Sequence, residues 1–443
     1  MPILDNFESQ YISIVSEDEP GLMSSFDKLK LDGLLLDDIN YINNKLQDIK
    51  EYQEPQFIYG IKIDPNNPDP DKCVTYTDDA IGFIPLKVNL KDGLCDYGSW
   101  KDIIDNVFGI RPVLMRSDGQ VVSQLDPNNY SKTTNGNSVD ISSGNMGQVM
   151  IRFKHLFYKF LVEEGKIWFR VSNKQIDHTW IDTAFTSEDG IGTSKDEMFI
   201  SAYESVQKNY ILQSVSGSYP TVNLEFELVQ KYSSFGVFHM MNIVRKQFIT
   251  FLGYLVTKSI DLKTNIGKGN TGGSVLKTGS MNTKGLFYGK DNSREGVKMF
   301  GIENLWGNSL KYMNGIIQRY TPVFNKETNE QEIEQHLYIK EFYPYDKIYN
   351  FTDIGKIDED IAGYIASIRF VSDSIYLPDK LDGASNIYFK SYFQNGKSKN
   401  PNNKLYGIYG GDSSYGSNKV GPEFLLLADP DPASCRVTTH IIY

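Results

Sequence analysis

The sequence predicts an α+β fold, mostly β, with an N-terminal arm and short coiled-coil helix, a β-rich middle module and a larger C-terminal domain. Three observations carry this. Tyr (28), Phe (25) and Gly (37) are abundant among 443 residues, which favours strands and structured loops over helical bundles. Short strand-like runs separated by Gly, Asn and Asp recur from about 83 to 180 and again after 300. Helical periodicity is confined to two stretches, near 35–49 and 236–260. A chain this long is expected to divide into two or three domains, here 1–54, 55–180 and 181–443.

The first 55 residues are acidic. Leu35, Ile39, Ile42, Leu46 and Ile49 are spaced 4, 3, 4 and 3, an a/d seam flanked by Asp, Asn and Lys. Two readings stand: a short coiled coil, in which Ile at most seam positions leans toward a trimer, or an amphipathic helix packed on its own domain. Upstream, ESQYISIVSEDEPGLMSSFD reads as an extended arm, and Pro55 closes the helix. FIYGIKI and CVTYT then read as strands around a Pro/Asn/Asp cluster. Asp64, Asp69 and Asp71 offer oxygens to calcium. Their spacing lacks the alternating ligands and turn glycine of a calcium loop, so a rigid polar turn is the better reading and no metal is expected.

RPVLMRSDGQVVSQLD is two strands joined at Ser117-Asp118-Gly119, a hairpin signal. QVMIRF, FYKFLVEEGKIWFRVS with its Glu-Gly turn, and MFISAYES continue an antiparallel region. GVFHMMNIVRKQFITFLGYLV steps by three and four and lacks Gly until Gly253, making it the best helix of the chain body. TNIGKGNTGGSVLKTGSMNTKG reads as a long surface loop. HLYIKEFY is a strand, followed by a polar loop at 391–404.

A net charge of −11, without a basic stripe interleaved with aromatics, argues against nucleic acid. No apolar run approaches the roughly 20 residues that span a bilayer, so no membrane insertion is expected. MPILDNFESQ has neither basic nor apolar signal regions. Cys73, Cys95 and Cys435 form no CxxC pair, which fits a reducing cytoplasm.

GKGNTG at 267–272 matches GxGxxG but follows a helix instead of a strand, so it reads as a flexible loop and not a dinucleotide site. The five histidines form no HxH or HxxxH pair. No GxSxG elbow occurs, and no cofactor or catalytic residue is expected. What stands out is aromatic and amide side chains in glycine-rich loops: Trp306 between Asn304 and Asn308, and Tyr406, Tyr409, Ser413, Ser414, Tyr415 and Asn418 around Gly410-Gly411. Rings stack on a pyranose face and amides bond its hydroxyls; the same residue types suit protein recognition. For Trp306 the alternative is a buried keystone of the fold.

FGIENLWGNSLKYMNGI (300–316) and YGGDSSYGSNKVGPEFLLLADPDPASCRVTTHIIY (409–443) together resemble the C-type-lectin-like domains of bacteriophage fibre tips and retroelement-diversified receptor-binding proteins, which share a core with the formylglycine-generating enzyme fold. Glu303, Asn304, Trp306 and Gly307 match the first part of that signature and Gly410 and Gly411 the second. The family's DGI is Asn314-Gly315-Ile316 here, and the enzyme's active cysteine pair is absent. The likeness extends upstream to about residue 57. It implies that 181–443 is a C-type-lectin-like domain and that the chain is a structural virion protein, a fibre-type adhesin for a host-surface glycan or protein. It would be made in a bacterial cytoplasm, released by lysis, joined to other virion proteins through the N-terminal arm, and homotrimeric. A purely structural head-fibre, collar or baseplate part and a capsule-polysaccharide depolymerase are the alternatives.

Overall fold

The structure, a computed structural model, describes residues 38–43, 55–187, 192–326, 328–342, 345, 350–358, 360–396, 404–412, 414–429 and 436–443. The chain forms two units, Met1–Gln56 and Phe57–Tyr443. In the first, residues 38–43 are helical, with Ile39 and Ile42 exposed. Leu35, Leu46 and Ile49 of the expected seam lie outside the described residues.

The second unit is mostly β, built on three sheets. Sheet A is antiparallel, in the order Val74–Asp78, Ile58–Ile63, Lys166–Ser172 and Phe157–Glu163. Its tight turn places Glu164 and Gly165 at φ 51° and 72°, the left-handed pair that matches strand twist in a two-residue hairpin. Sheet B runs His239–Met240, Ile441–Ile442, Glu197–Ser201, Gln148–Lys154, Arg111–Met115, Val121–Asp126 and Asn129–Thr133. Sheet C is centred on the long strand Leu310–Asn325, paired with Glu330–Ile339 on one side and Leu405–Tyr409 on the other. Leu425–Ala428, Tyr392–Asn395 and Ala362–Tyr364 extend it.

The expected break at 180/181 separates no two cores. Glu197–Ser201 pairs with Gln148–Lys154, and Ile442 pairs with Ile200 and His239, so the end of the chain lies inside a sheet begun by residue 111. Val437–Thr438 also lies parallel to the start of the long sheet C strand, and the closing residues therefore join sheets B and C.

Helix α1 spans Phe226–Ser233 and α2 spans Ile243–Thr257. Asn242 caps α2 by accepting from the Arg245 amide at 2.9 Å. Every residue of α2 is buried, the mark of a helix enclosed on all sides. Phe251 lies 4.9 Å from Phe160 of sheet A and 5.0 Å from Tyr376, so one aromatic cluster ties sheet A to the C-terminal half. The polar residues of α2 are spent internally. Arg245 donates to the carbonyls of Ala184 and Thr186 at 2.9 and 2.8 Å, and Gln247 bonds the Tyr376 backbone in both directions.

Candidate functional site

In the stretch GIENLWGN, four residues take left-handed φ: Gly301 at 85°, Asn304 at 57°, Gly307 at 77° and Asn308 at 66°. Among residues with a Cβ, Asn tolerates this region best. That accounts for asparagines at both positions, and the same turns aim their amides inward at one carboxylate, Glu204.

Glu204 accepts from Asn304 Nδ2 at 3.1 Å, from Asn308 Nδ2 and from the Ser309 hydroxyl. Lys311 completes the group: its Nζ lies 3.2 Å from Glu204 Oε1 and donates to the Gly307 and Ser309 carbonyls at 2.8 and 2.5 Å. Burial pulls the Lys311 ammonium below its ordinary pKa, opposed by Glu204. The Asn308 oxygen, for its part, accepts from Asn270 Nδ2 and the Leu276 amide at 3.0 and 2.7 Å.

Trp306 is fully buried, its indole donating to the Gly267 carbonyl at 3.0 Å. This corrects the surface-loop expectation for 267–272. Gly267, Gly269, Asn270 and Thr271 are buried, and a Cβ on Gly269 would meet the Trp306 carbonyl at 2.8 Å. The glycines serve close backbone approach instead of mobility. From the other side, the Gly307 amide donates to the Gly410 carbonyl at 3.0 Å, joining the two signature stretches.

Glu303, next to Asn304, accepts from the Gly279 and Met281 amides at 2.9 Å each, while Lys298 donates to the Met281 carbonyl at 2.9 Å. Burial pushes the Glu303 carboxyl up and the Lys298 ammonium down, each opposed by the other's charge. His440 Nε2 donates to the Glu303 carbonyl at 3.0 Å, so its Nδ1 accepts from the Tyr409 hydroxyl at 2.9 Å. Such pKa displacement is typical of catalytic centres. Here Glu303, Lys298 and His440 are 1%, 0% and 0% exposed and hold the fold's own amides and carbonyls. The arrangement positions three chain segments.

The expected ligand residues divide accordingly. Asn308, Tyr406 and Tyr409 are corrected: all three are buried and their polar atoms are used within the protein. Tyr406 stacks on Phe226 at 3.9 Å and donates to Glu227, Tyr409 is held by His440, and Asn308 by Glu204. Ser413 lies outside the described residues. Ser414 and Asn418 are exposed and Tyr415 half-buried, its ring edge-on to Phe424 at 4.9 Å. The turn bearing them is anchored from below. Lys263 Nζ donates to the carbonyls of Lys390, Ser417 and Asn418 at 2.5, 3.4 and 3.3 Å, with burial lowering its pKa to about 8.

Of the calcium alternative, Asp69 accepts from the Asp71 and Lys72 amides and pairs with the Lys72 ammonium at 2.7 Å, which is turn chemistry. Among the described residues no group of three or more His, Cys, Asp or Glu is arranged to hold a metal ion. Sequence reading missed Glu204, Lys298 and Lys311, which carry no local mark of burial. No protein-family model matches the chain, and no curated protein matches it.

Proposed function

We propose that the chain is a fibre-type virion adhesin whose C-terminal part is a lectin-like domain recognising a host-surface glycan or protein. The observation that carries this reading is the meeting of the two signature stretches. Gly307 and Gly410, about a hundred residues apart, are bonded directly, with Trp306 and the Glu204–Lys311 pair enclosed behind them. This supports reading Glu303, Asn304, Trp306, Gly307, Gly410 and Gly411 as a signature of fold. Ser414, Tyr415 and Asn418 are the part of the motif that reaches the surface.

In this reading the N-terminal arm joins other virion proteins, the seam of Leu35, Ile39, Ile42, Leu46 and Ile49 assembles trimers, and multivalency multiplies a weak single site. Purified full-length protein added to susceptible bacteria should compete with the phage for adsorption, and antibodies to it should decorate intact particles. Particle images with residues 404–419 enclosed between virion subunits would overturn the adhesin in favour of a purely structural part. Release of new reducing ends from envelope polysaccharide would instead establish a depolymerase.

A further inference from the structure

Away from the signature stretches, three segments distant in sequence enclose a cleft of about 300 Å³ lined by Asp92, Tyr97, Asn128, Thr283, Lys284 and Tyr288, among others. The turn 89–94 forms one wall, where Asp92 accepts from the Leu94 amide at 2.8 Å and Asn89 Nδ2 at 2.9 Å. Segment 283–288 forms the facing wall, and the hairpin tip at Asn128 closes an end.

The walls are fixed to each other and to the core. A Cβ on Gly93 would lie 2.1 Å from the Tyr288 ring, so turn and ring are in direct contact. Tyr97 meets Phe287 edge-on at 5.8 Å. The second wall is held at its base by Glu303 through the Gly279 and Met281 amides, and Tyr288 exchanges two backbone hydrogen bonds with Lys298 at 3.0 and 2.8 Å. A site is effective when its walls are ordered before the ligand arrives.

Into this frame project polar groups with unused capacity. Among the described residues the Asn128, Thr283 and Lys284 side chains have no hydrogen bond or ion pair. Asn128 Oδ1 and the Tyr97 hydroxyl both point at the space above Gly285: an atom at the Cβ position there would lie 3.7 and 3.8 Å from them. Asp92, with two bonds accepted, retains lone pairs for hydroxyl donors. Lys284 lies over the Tyr288 ring at 5.1 Å.

We infer that this cleft binds a single uncharged hexopyranose unit. A carboxylate, an amide and hydroxyls along the walls suit the hydroxyl groups of a sugar ring. The mouth carries one negative and one positive side chain, so an ionic ligand gains from one and is repelled by the other. At about 30 Å³ per water, the volume equals that of about ten waters, room for one sugar ring and not for a longer chain. The site stands on its own geometry and does not require the adhesin reading.

Saturation-transfer NMR on the full-length protein tests it with the methyl glycosides of glucose, galactose, mannose and N-acetylglucosamine, and with glucuronate and glucosamine as charged comparators. At least one neutral glycoside should show transfer. Asn128→Ala should weaken it about ten-fold, and Thr283→Trp, which fills the cleft, should abolish it with the urea unfolding midpoint unchanged. Absence of transfer to every neutral glycoside, undiminished transfer in both variants, or preference for a charged sugar would overturn the proposal.

Discussion

Lys311 Nζ lies 3.2 Å from Glu204 Oε1 with the two side chains 0% and 1% exposed. The ammonium has three donors and all are engaged, by Glu204 and the Gly307 and Ser309 carbonyls. Burial of such a pair is tolerable only with that completeness, and removing one partner strands the other. Lys311→Met should therefore cost about 3–5 kcal/mol in urea unfolding, and Glu204→Gln a similar amount. The double variant should cost clearly less than the sum of the two; additive losses would show that the pair is not coupled.

Acidification should weaken the fold through His440. Its pKa is lowered from 6.5 to about 3 by burial and by the nearby Lys311 charge. Below about pH 6.5 the unfolded chain binds a proton there that the folded chain refuses until about pH 3, so stability falls across that window by on the order of 1 kcal/mol per pH unit. His440→Gln keeps a donor for Glu303 and an acceptor for Tyr409 but does not titrate. Urea midpoints measured from about pH 7 to about pH 5 should slope less steeply in that variant.

Trp306 and Tyr415 should respond oppositely to truncation. Trp306→Ala empties a fully enclosed site and should cost about 3–5 kcal/mol, unfolding the protein at moderate urea. Tyr409→Phe leaves His440 Nδ1 without its donor and should cost about 1–3 kcal/mol. Tyr415→Ala combined with Asn418→Ala should cost about 1–2 kcal/mol, for the lost packing on Phe424, and leave the protein folded while reducing binding to host cells. Normal folding of Trp306→Ala with loss of binding alone would reverse the roles assigned to these residues.

Lys263 offers a test of how the exposed turn is held. Lys263→Met removes the ammonium from three backbone carbonyls while keeping the apolar stem. Amide exchange over 414–420 should accelerate, with strands of sheet B unaffected. Uniform acceleration throughout the protein would instead make Lys263 a support of the global fold.

Much of the architecture was legible because its signals are local. The hairpins 111–126 and 157–172 carry their turn glycines between alternating strands, and the helix 243–257 carries its period and lacks interior breakers until Gly253. The errors have two causes, the double meaning of glycine and partners that only chain topology supplies. Glycine signals both a loose loop and close backbone approach, so Gly267 and Gly269 look like a surface loop in the sequence although Trp306 packs on them. Tyr406 and Tyr409 look like contact residues until Glu227 and His440 are placed beside them. Asp92, Asn128 and Lys284 share a cleft through chain topology alone.

The closing strand has a consequence in time. The Ile441 amide donates to Ser201 Oγ across 240 positions, and sheet B holds its place between His239 and Ile200 until that strand is made. At about 5–20 residues per second of synthesis, the gap stays open for roughly 12–48 s. Throughout it, Glu197–Ser201 offers an unpaired edge beside apolar side chains, the surface that chaperones capture and aggregates recruit. Deleting residues 437–443 would make that transient condition permanent. Such a truncation should accumulate as protease-sensitive, chaperone-bound chains even though Trp306 and its motif remain intact.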